Sequence, residues 1–355
     1  RHRQPGMTMA TLPIAITQGD PAGIGPEIIA KAFRDAPDVT RGCFVAGDVA
    51  TLRRAAKIIT GPGQVGLPVA EIRTASEALE VPPRCIPVLP VLQAPELVQV
   101  GVISASAGRM AADCVTWAAR AALRGDIAAL VTAPLHKEAL AAAGVDFPGH
   151  TELLQAEAAA HLGRPVQEVP VRMMLANDEL KTVLVSIHLS LREAIAAVTT
   201  DNVLQTLRLT HEFLLRTSTP GQTRRRIGVA GLNPHAGEGG LFGREELDII
   251  LPAMAQARRE GIDVQGPFAP DTVFMRARAR DAQPGEFDVV VAMYHDQGLI
   301  PVKYLGVEKG VNVTIGLPLV RTSPDHGTAF DIAGTGQADA SSLIEAIRMA
   351  RQLAL

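Results

Sequence analysis

Three histidines in this chain each follow a strand-like apolar run. His188 closes Lys181-Thr-Val-Leu-Val-Ser-Ile-His188, His235 follows Arg226-Ile-Gly-Val-Ala-Gly-Leu-Asn-Pro-His235, and His295 follows Phe287-Asp-Val-Val-Val-Ala-Met-Tyr-His295. In an open parallel sheet the carboxyl ends of the strands line the crevice where ligands bind. Three imidazoles delivered there can share one divalent ion and leave coordination positions open for substrate. One such histidine is more often an ordinary polar residue where a strand surfaces. Three in equivalent positions point to a metal centre.

A second group of residues suits a phosphate monoester. Lys303, Asn312 and Arg321 fall within one short stretch; lysine offers a point charge and arginine a planar fork for two oxygens. A solvated surface places Lys and Arg as readily, and Lys309 reads as a bystander. Upstream, His150 and Thr151 can donate or accept at a ligand, although Thr151 would also suit a helix cap. The opening Thr17-Gln-Gly-Asp-Pro-Ala-Gly-Ile-Gly-Pro-Glu27 places three glycines before a helix start, where backbone N–H groups can cradle an anion. Its spacing is not G-x-G-x-x-G, so a standard dinucleotide-binding domain is not supported. Asp325-His-Gly-Thr-Ala-Phe-Asp-Ile-Ala-Gly-Thr-Gly336 has the small residues that let a flat or charged ligand approach, or that make a plain turn.

The elements that must position these residues alternate. Strand signals lie at 13–17, 43–46, 127–132, 171–175, 182–187, 227–230, 289–292 and 311–315. Helical patterns lie at 26–34, 105–124, 191–198, 202–216, 244–259 and 341–353, and Gly125 is a natural stop for the second of these. This predicts an α/β architecture with a largely parallel sheet. The Pro- and Gly-rich stretch 61–90 reads as irregular. At 355 residues two domains are expected. The apolar mass is aliphatic, with only 3% aromatic residues, as buried parallel strands under Ala-rich helices require. A net charge of −3 offers no attraction for nucleic acid or an anionic membrane, and no apolar run is long enough to span one. Three scattered cysteines suggest neither disulfides nor a zinc ribbon, so a cytoplasmic location is expected. Residues 1–9 read as a cloning remnant or disordered tail.

Taken together, Gly19-Asp-Pro-Ala-Gly-Ile-Gly-Pro-Glu27, Gly149-His-Thr151, Gly231-Leu-Asn-Pro-His-Ala-Gly-Glu238, Tyr294-His-Asp-Gln-Gly298 and Arg321-Thr-Ser-Pro-Asp-His-Gly-Thr328 resemble the 4-hydroxythreonine-4-phosphate dehydrogenase family of vitamin B6 biosynthesis. The likeness runs from Thr17 nearly to the end. It implies an isocitrate/isopropylmalate-dehydrogenase-like fold of two α/β/α domains with a cleft between them. On that pattern, residues 10–130 with 305–355 form one domain and 131–304 the other, which carries the metal ligands and dimer contacts. It further implies a homodimer whose active site lies at the subunit interface. His188, His235 and His295 match the family's metal ligands (Zn, Mg, Mn or Co), and His150, Thr151, Lys303, Asn312 and Arg321 match its contacts to a phosphorylated substrate. His326, Gly327 and Thr328 match a segment that contacts NAD or NADP in the wider superfamily. Asp271 and Asp296 are candidates for the catalytic base, or for orienting a ligand histidine. The implied reaction is oxidation at C3 followed by decarboxylation to 3-amino-2-oxopropyl phosphate. Relatives that oxidise D-threonate or D-erythronate 4-phosphate share the scaffold. A three-histidine zinc hydrolase is the remote alternative, and it predicts no nicotinamide binding. A metal-storage protein is disfavoured because no cysteine lies in the three histidine loops. His188-Leu-Ser-Leu191 departs from the family's usual His-Leu/Ile-Pro-Leu but keeps the ligand.

Overall fold

The computed structural model describes residues 11–217 and 224–354; residues 1–9 and the expected domain start at residue 10 lie outside them. The strands are β1 (Ile14–Thr17), β2 (Cys43–Gly47), β3 (Val69–Glu71), β4 (Ile86–Pro90), β5 (Ala129–Thr132), β6 (Arg172–Ala176), β7 (Lys181–Leu184), β8 (Ile227–Ala230), β9 (Val264–Phe268), β10 (Val289–Ala292), β11 (Val311–Ile315) and β12 (Arg321–Pro324). They form one 12-stranded sheet in the order β3-β4-β2-β1-β5-β12-β11-β6-β7-β10-β8-β9. Pairing is parallel from β3 through β12 and again from β7 through β9. The pairs β12–β11, β11–β6 and β6–β7 are antiparallel. The largely parallel expectation therefore holds for the flanks, and the centre is where strand direction reverses.

Helices cover both faces, which is why β1, β5, β8 and β10 are buried along their whole length and read as unbroken apolar runs. Successive residues point to opposite faces. Ile14 and Ile16 pack with Ile28, Leu52 and Leu343, whereas Ala15, Phe44 and Leu130 pack with Val115 and Leu154. Gly25–Asp35, Val49–Ile58 and Ser341–Leu353 thus lie on one face, and Ala105–Arg124 and His150–Leu162 on the other. Ala105–Arg124 runs as its sequence predicts: the Ser104 side chain accepts from the Ala107 N–H, and Gly125 ends it at φ 81°.

The chain lays down β1 to β5 in one half of the sheet and β6 to β10 in the other. It then returns through β11 and β12 to pair with β5. Three sequence expectations change. The stretch 61–90 contains β3 and β4, β9 and β12 were not signalled at all, and the strand expected at 182–187 ends at Leu184. Ser186 and His188 consequently sit in the loop that leaves β7.

Candidate active site

A cavity of about 580 Å³ opens over the central strands. Its floor is one face of the β11–β12 hairpin. Asn312 and Thr314 alternate on β11, Arg321 and Ser323 alternate on β12, and all four line the cavity. Asn312 is the cross-strand partner of Ser323, and Thr314 of Arg321. The intervening Val311, Val313 and Thr322 are buried on the other face, where the Thr322 hydroxyl donates to the Ala346 carbonyl of the last helix.

Arg321 is 4% exposed. Its Nε and one terminal nitrogen donate to Thr132 Oγ1 at 3.1 and 2.7 Å, and the other terminal nitrogen donates to Thr314 Oγ1 at 2.8 Å. Burial pulls the guanidinium down to about 10, against the opposing Glu152 carboxylate, so it is still cationic at neutral pH. Beside it begins helix His150–Leu162, whose N-cap, Gly149, offers no side chain to its first N–H groups. Thr151 is therefore within the first turn rather than the cap, contrary to the simple capping expectation. An uncapped helix N-terminus beside a buried arginine suits an anion. His150 Nε2 is buried there without a partner, and burial, reinforced by the Arg321 charge, pulls its pKa well below the ordinary 6.5.

That shift has a sign. A histidine held neutral in the native state takes up a proton on unfolding, so the unfolded chain binds more protons below pH 6.5. Stability is unaffected above that value and falls as pH drops beneath it. His150→Gln is expected to flatten this slope by up to about 1.4 kcal/mol per pH unit between pH 6.5 and 5. Urea unfolding across that range measures it, and an unchanged slope would count against a neutral His150.

Lys303, at the end of helix His295–Tyr304, forms an ion pair with the cavity-lining Asp325 at 3.0 Å. His326 lines the cavity too. Next to it, an added Cβ on Gly327 would meet nothing within 4 Å, so that backbone is open to a ligand. Thr328 is instead packed inward, its carbonyl accepting from the Ile24 N–H at 3.0 Å, and a Cβ on Gly23 would come within 3.0 Å of it.

The three histidines follow β7, β10 and β8, which are adjacent and parallel. The His188 and His295 ring centroids lie 5.7 Å apart. Asp296 Oδ1 sits 2.7 Å from His295 Nδ1, an arrangement that leaves Nε2 free to bind a metal. His235 is placed differently. It belongs to a left-handed run, His235 to Gly239, with φ 54° at His235 itself, and its side chain is 66% exposed. It lines a second cavity of about 470 Å³ together with Asp271 and Asp296. Among the described residues no three His, Cys, Asp or Glu side chains are already gathered around one point. The donor set is right in kind for a divalent metal, with two members juxtaposed and the third one strand beyond.

Two residues that hold these loops escaped sequence reasoning. Buried Glu246 accepts from the Leu232 and Asn233 N–H groups at 3.1 and 2.7 Å and from Asn233 Nδ2 at 3.0 Å, which fixes the approach to His235. Gln297 donates to the Gly231 carbonyl and accepts from the Met293 N–H, tying the ends of β8 and β10 together. Their only sequence signal is a carboxylate and an amide near the histidine motifs, which surface residues share.

Comparison with known proteins places this fold among the α/β dehydrogenases. The structure superimposes on 4-hydroxythreonine-4-phosphate dehydrogenase from Klebsiella pneumoniae with a TM-score of 0.84 at 41% identity, covering 97% of this chain and all of that one. The model of the pyridoxal phosphate biosynthetic protein PdxA matches residues 39–350, and the chain belongs to the PdxA family. A 4-hydroxythreonine-4-phosphate dehydrogenase from Beijerinckia indica is 52% identical over 98% of this chain and 96% of its own length. A D-threonate 4-phosphate dehydrogenase from Salmonella typhimurium is 47% identical over 98% of this chain and 100% of its own. The protein is an oxidoreductase, and the hydrolase alternative falls away.

Proposed function

We propose that the protein oxidises a 4-phosphorylated 3-hydroxy acid at C3 with NAD or NADP as electron acceptor, and that the resulting β-keto acid loses CO₂. The principal reading is 4-hydroxythreonine 4-phosphate, giving 3-amino-2-oxopropyl phosphate. The second is D-threonate or D-erythronate 4-phosphate, favoured by the 47% identity to an enzyme named for D-threonate. The observation that carries the reading is one cavity joining Arg321, His150, Thr151 and Asn312 to His188.

In this reading the phosphate sits against Arg321, the Asn312 amide, Thr151 and the His150 helix terminus, with Lys303 held beside the cavity by its ion pair with Asp325. The substrate's hydroxyl end points toward His188 and His295. A divalent ion (Zn, Mg, Mn or Co) held by His188, His295 and His235 would supply Lewis acidity to the C3 hydroxyl. NAD or NADP lying along His326 and Gly327, with Thr328 packed beneath to hold the segment, would supply the hydride acceptor. Asp296, already bonded to His295, orients that ring. Asp271, in the His235 cavity, is then the better placed of the two carboxylates to take the hydroxyl proton.

His235 completes the site from a second copy of the chain in a homodimer. Apolar side chains are exposed beside it: Phe242, whose ring lies 6.0 Å from that of His235, and Ile300, which lines the His235 cavity, are 48% and 63% exposed, which suits a covered face. The fold half from β6 to β10 would thus carry both metal ligands and dimer contacts, and the half from β1 to β5 with β11 and β12 would form the other domain.

The deciding experiment is NAD(P)H formation with Zn²⁺, Mn²⁺ or Mg²⁺ on 4-hydroxythreonine 4-phosphate and D-threonate 4-phosphate. Turnover of either supports the reading and assigns the substrate; turnover of neither overturns it.

A further inference from the structure

Ser186 has no role in any reading above, yet its position is unusual. Its hydroxyl is buried without a hydrogen-bond partner, and the residue lines the main cavity. Burying a hydroxyl unpaired is costly, so such atoms generally await a ligand or a water. The other cavity-lining atoms in that condition are His150 Nε2 and Asp325 Oδ2. The latter already lies 3.0 Å from the Lys303 ammonium. Two groups, Ser186 Oγ and His150 Nε2, are therefore left to read a substrate.

Ser186 also stands at a defined place along the substrate. It leaves β7 two residues before His188, a span of roughly 7 Å in extended chain. With the phosphate at Arg321 and the C3 hydroxyl toward His188 and His295, the cavity wall between Leu184 and His188 is open to the neighbouring C2 substituent. The loop's other cavity-lining side chains ahead of His188, Val185 and Ile187, are apolar. Ser186 is the polar group available there.

Resting on the proposed function, we propose that the Ser186 hydroxyl hydrogen-bonds the substituent on C2, next to the carbon being oxidised, and so helps determine specificity. As both donor and acceptor, a hydroxyl can pair with an amine or with another hydroxyl. A site built to bond such a group rejects an analogue lacking it, because the protein's own polar atom is then stranded.

The test compares wild type, Ser186→Ala and Ser186→Thr on three phosphorylated substrates: the 2-amino acid, the 2-hydroxy acid, and 3-hydroxybutanoate 4-phosphate, which has neither group. Ser186→Ala is expected to lower kcat/KM about 10- to 100-fold on whichever C2-substituted compound the wild type prefers. The 2-deoxy compound should change by less than about 3-fold, and Ser186→Thr should restore part of the loss by retaining the hydroxyl. An equal loss on all substrates, or no loss on any, would overturn the role of Ser186 and leave the dehydrogenase reading standing. If the wild type oxidises none of the three, the reading itself fails.

Discussion

Mixing His188→Ala protein with His235→Ala protein, each inactive alone, is expected to restore about one quarter of wild-type turnover. Either substitution removes one donor from the metal set and should cost on the order of 10³-fold in activity. The rescue follows from where the structure puts the donors. The His188 and His295 rings lie 5.7 Å apart within one chain, while His235 faces the second cavity in an exposed loop. If each site takes His188 and His295 from one subunit and His235 from the other, random exchange makes about half of the dimers mixed. In a mixed dimer one site collects both substitutions and the other collects neither. Half of the sites in half of the dimers are then intact. Subunit exchange under mild denaturant, or co-expression, followed by assay measures this. Absence of rescue in verified mixed dimers would place all three histidines in one chain.

Arg321→Ala is expected to raise KM for the phosphorylated substrate by about 10²- to 10³-fold, equivalent to roughly 3–4 kcal/mol. A dephosphorylated analogue should respond by less than about 3-fold. The large value reflects burial: at 4% exposure the guanidinium faces an anion with little solvent screening. Its two threonine partners, Thr132 and Thr314, fix its plane before any ligand arrives, so little ordering entropy remains to be lost on binding. Arg321→Lys keeps the charge but not the fork, and should fall between wild type and alanine. Equal effects on both substrates would remove the phosphate role.

Much of this was legible in the residues. The apolar runs before His188, His235 and His295 do end adjacent parallel strands, because unbroken Val-, Ile- and Ala-rich segments have few alternatives to a strand buried on both faces. β11 was legible as well: Val311-Asn-Val-Thr-Ile315 alternates and pairs on both sides. β12 was not. Arg321-Thr-Ser-Pro324 lacks an aliphatic run, and it becomes a strand only because β5 and β11 offer edges to it. β3 and β4 were hidden by the prolines and glycines around them. Ser186 was invisible for another reason: a serine acquires meaning only from a cavity formed by segments scattered from Lys137 to His326. The offset of His235 lay beyond reach too, since equal spacing from strand ends does not reveal which way a left-handed loop turns its side chain.

The β11–β12 hairpin separates two demands on one short piece of chain. Its even-numbered β11 residues and odd-numbered β12 residues face the ligand, while their neighbours are locked into the layer beneath, down to the Thr322 bond with the last helix. Substitutions confined to positions 312, 314 and 323 would leave the buried layer untouched. Such a scaffold can tune its grip on a phosphate in single mutational steps, while the substituent at C2 is met elsewhere, on the loop that leaves β7. One phosphate seat could then serve both an amino and a hydroxy acid phosphate, the two substrates for which relatives of this chain are named.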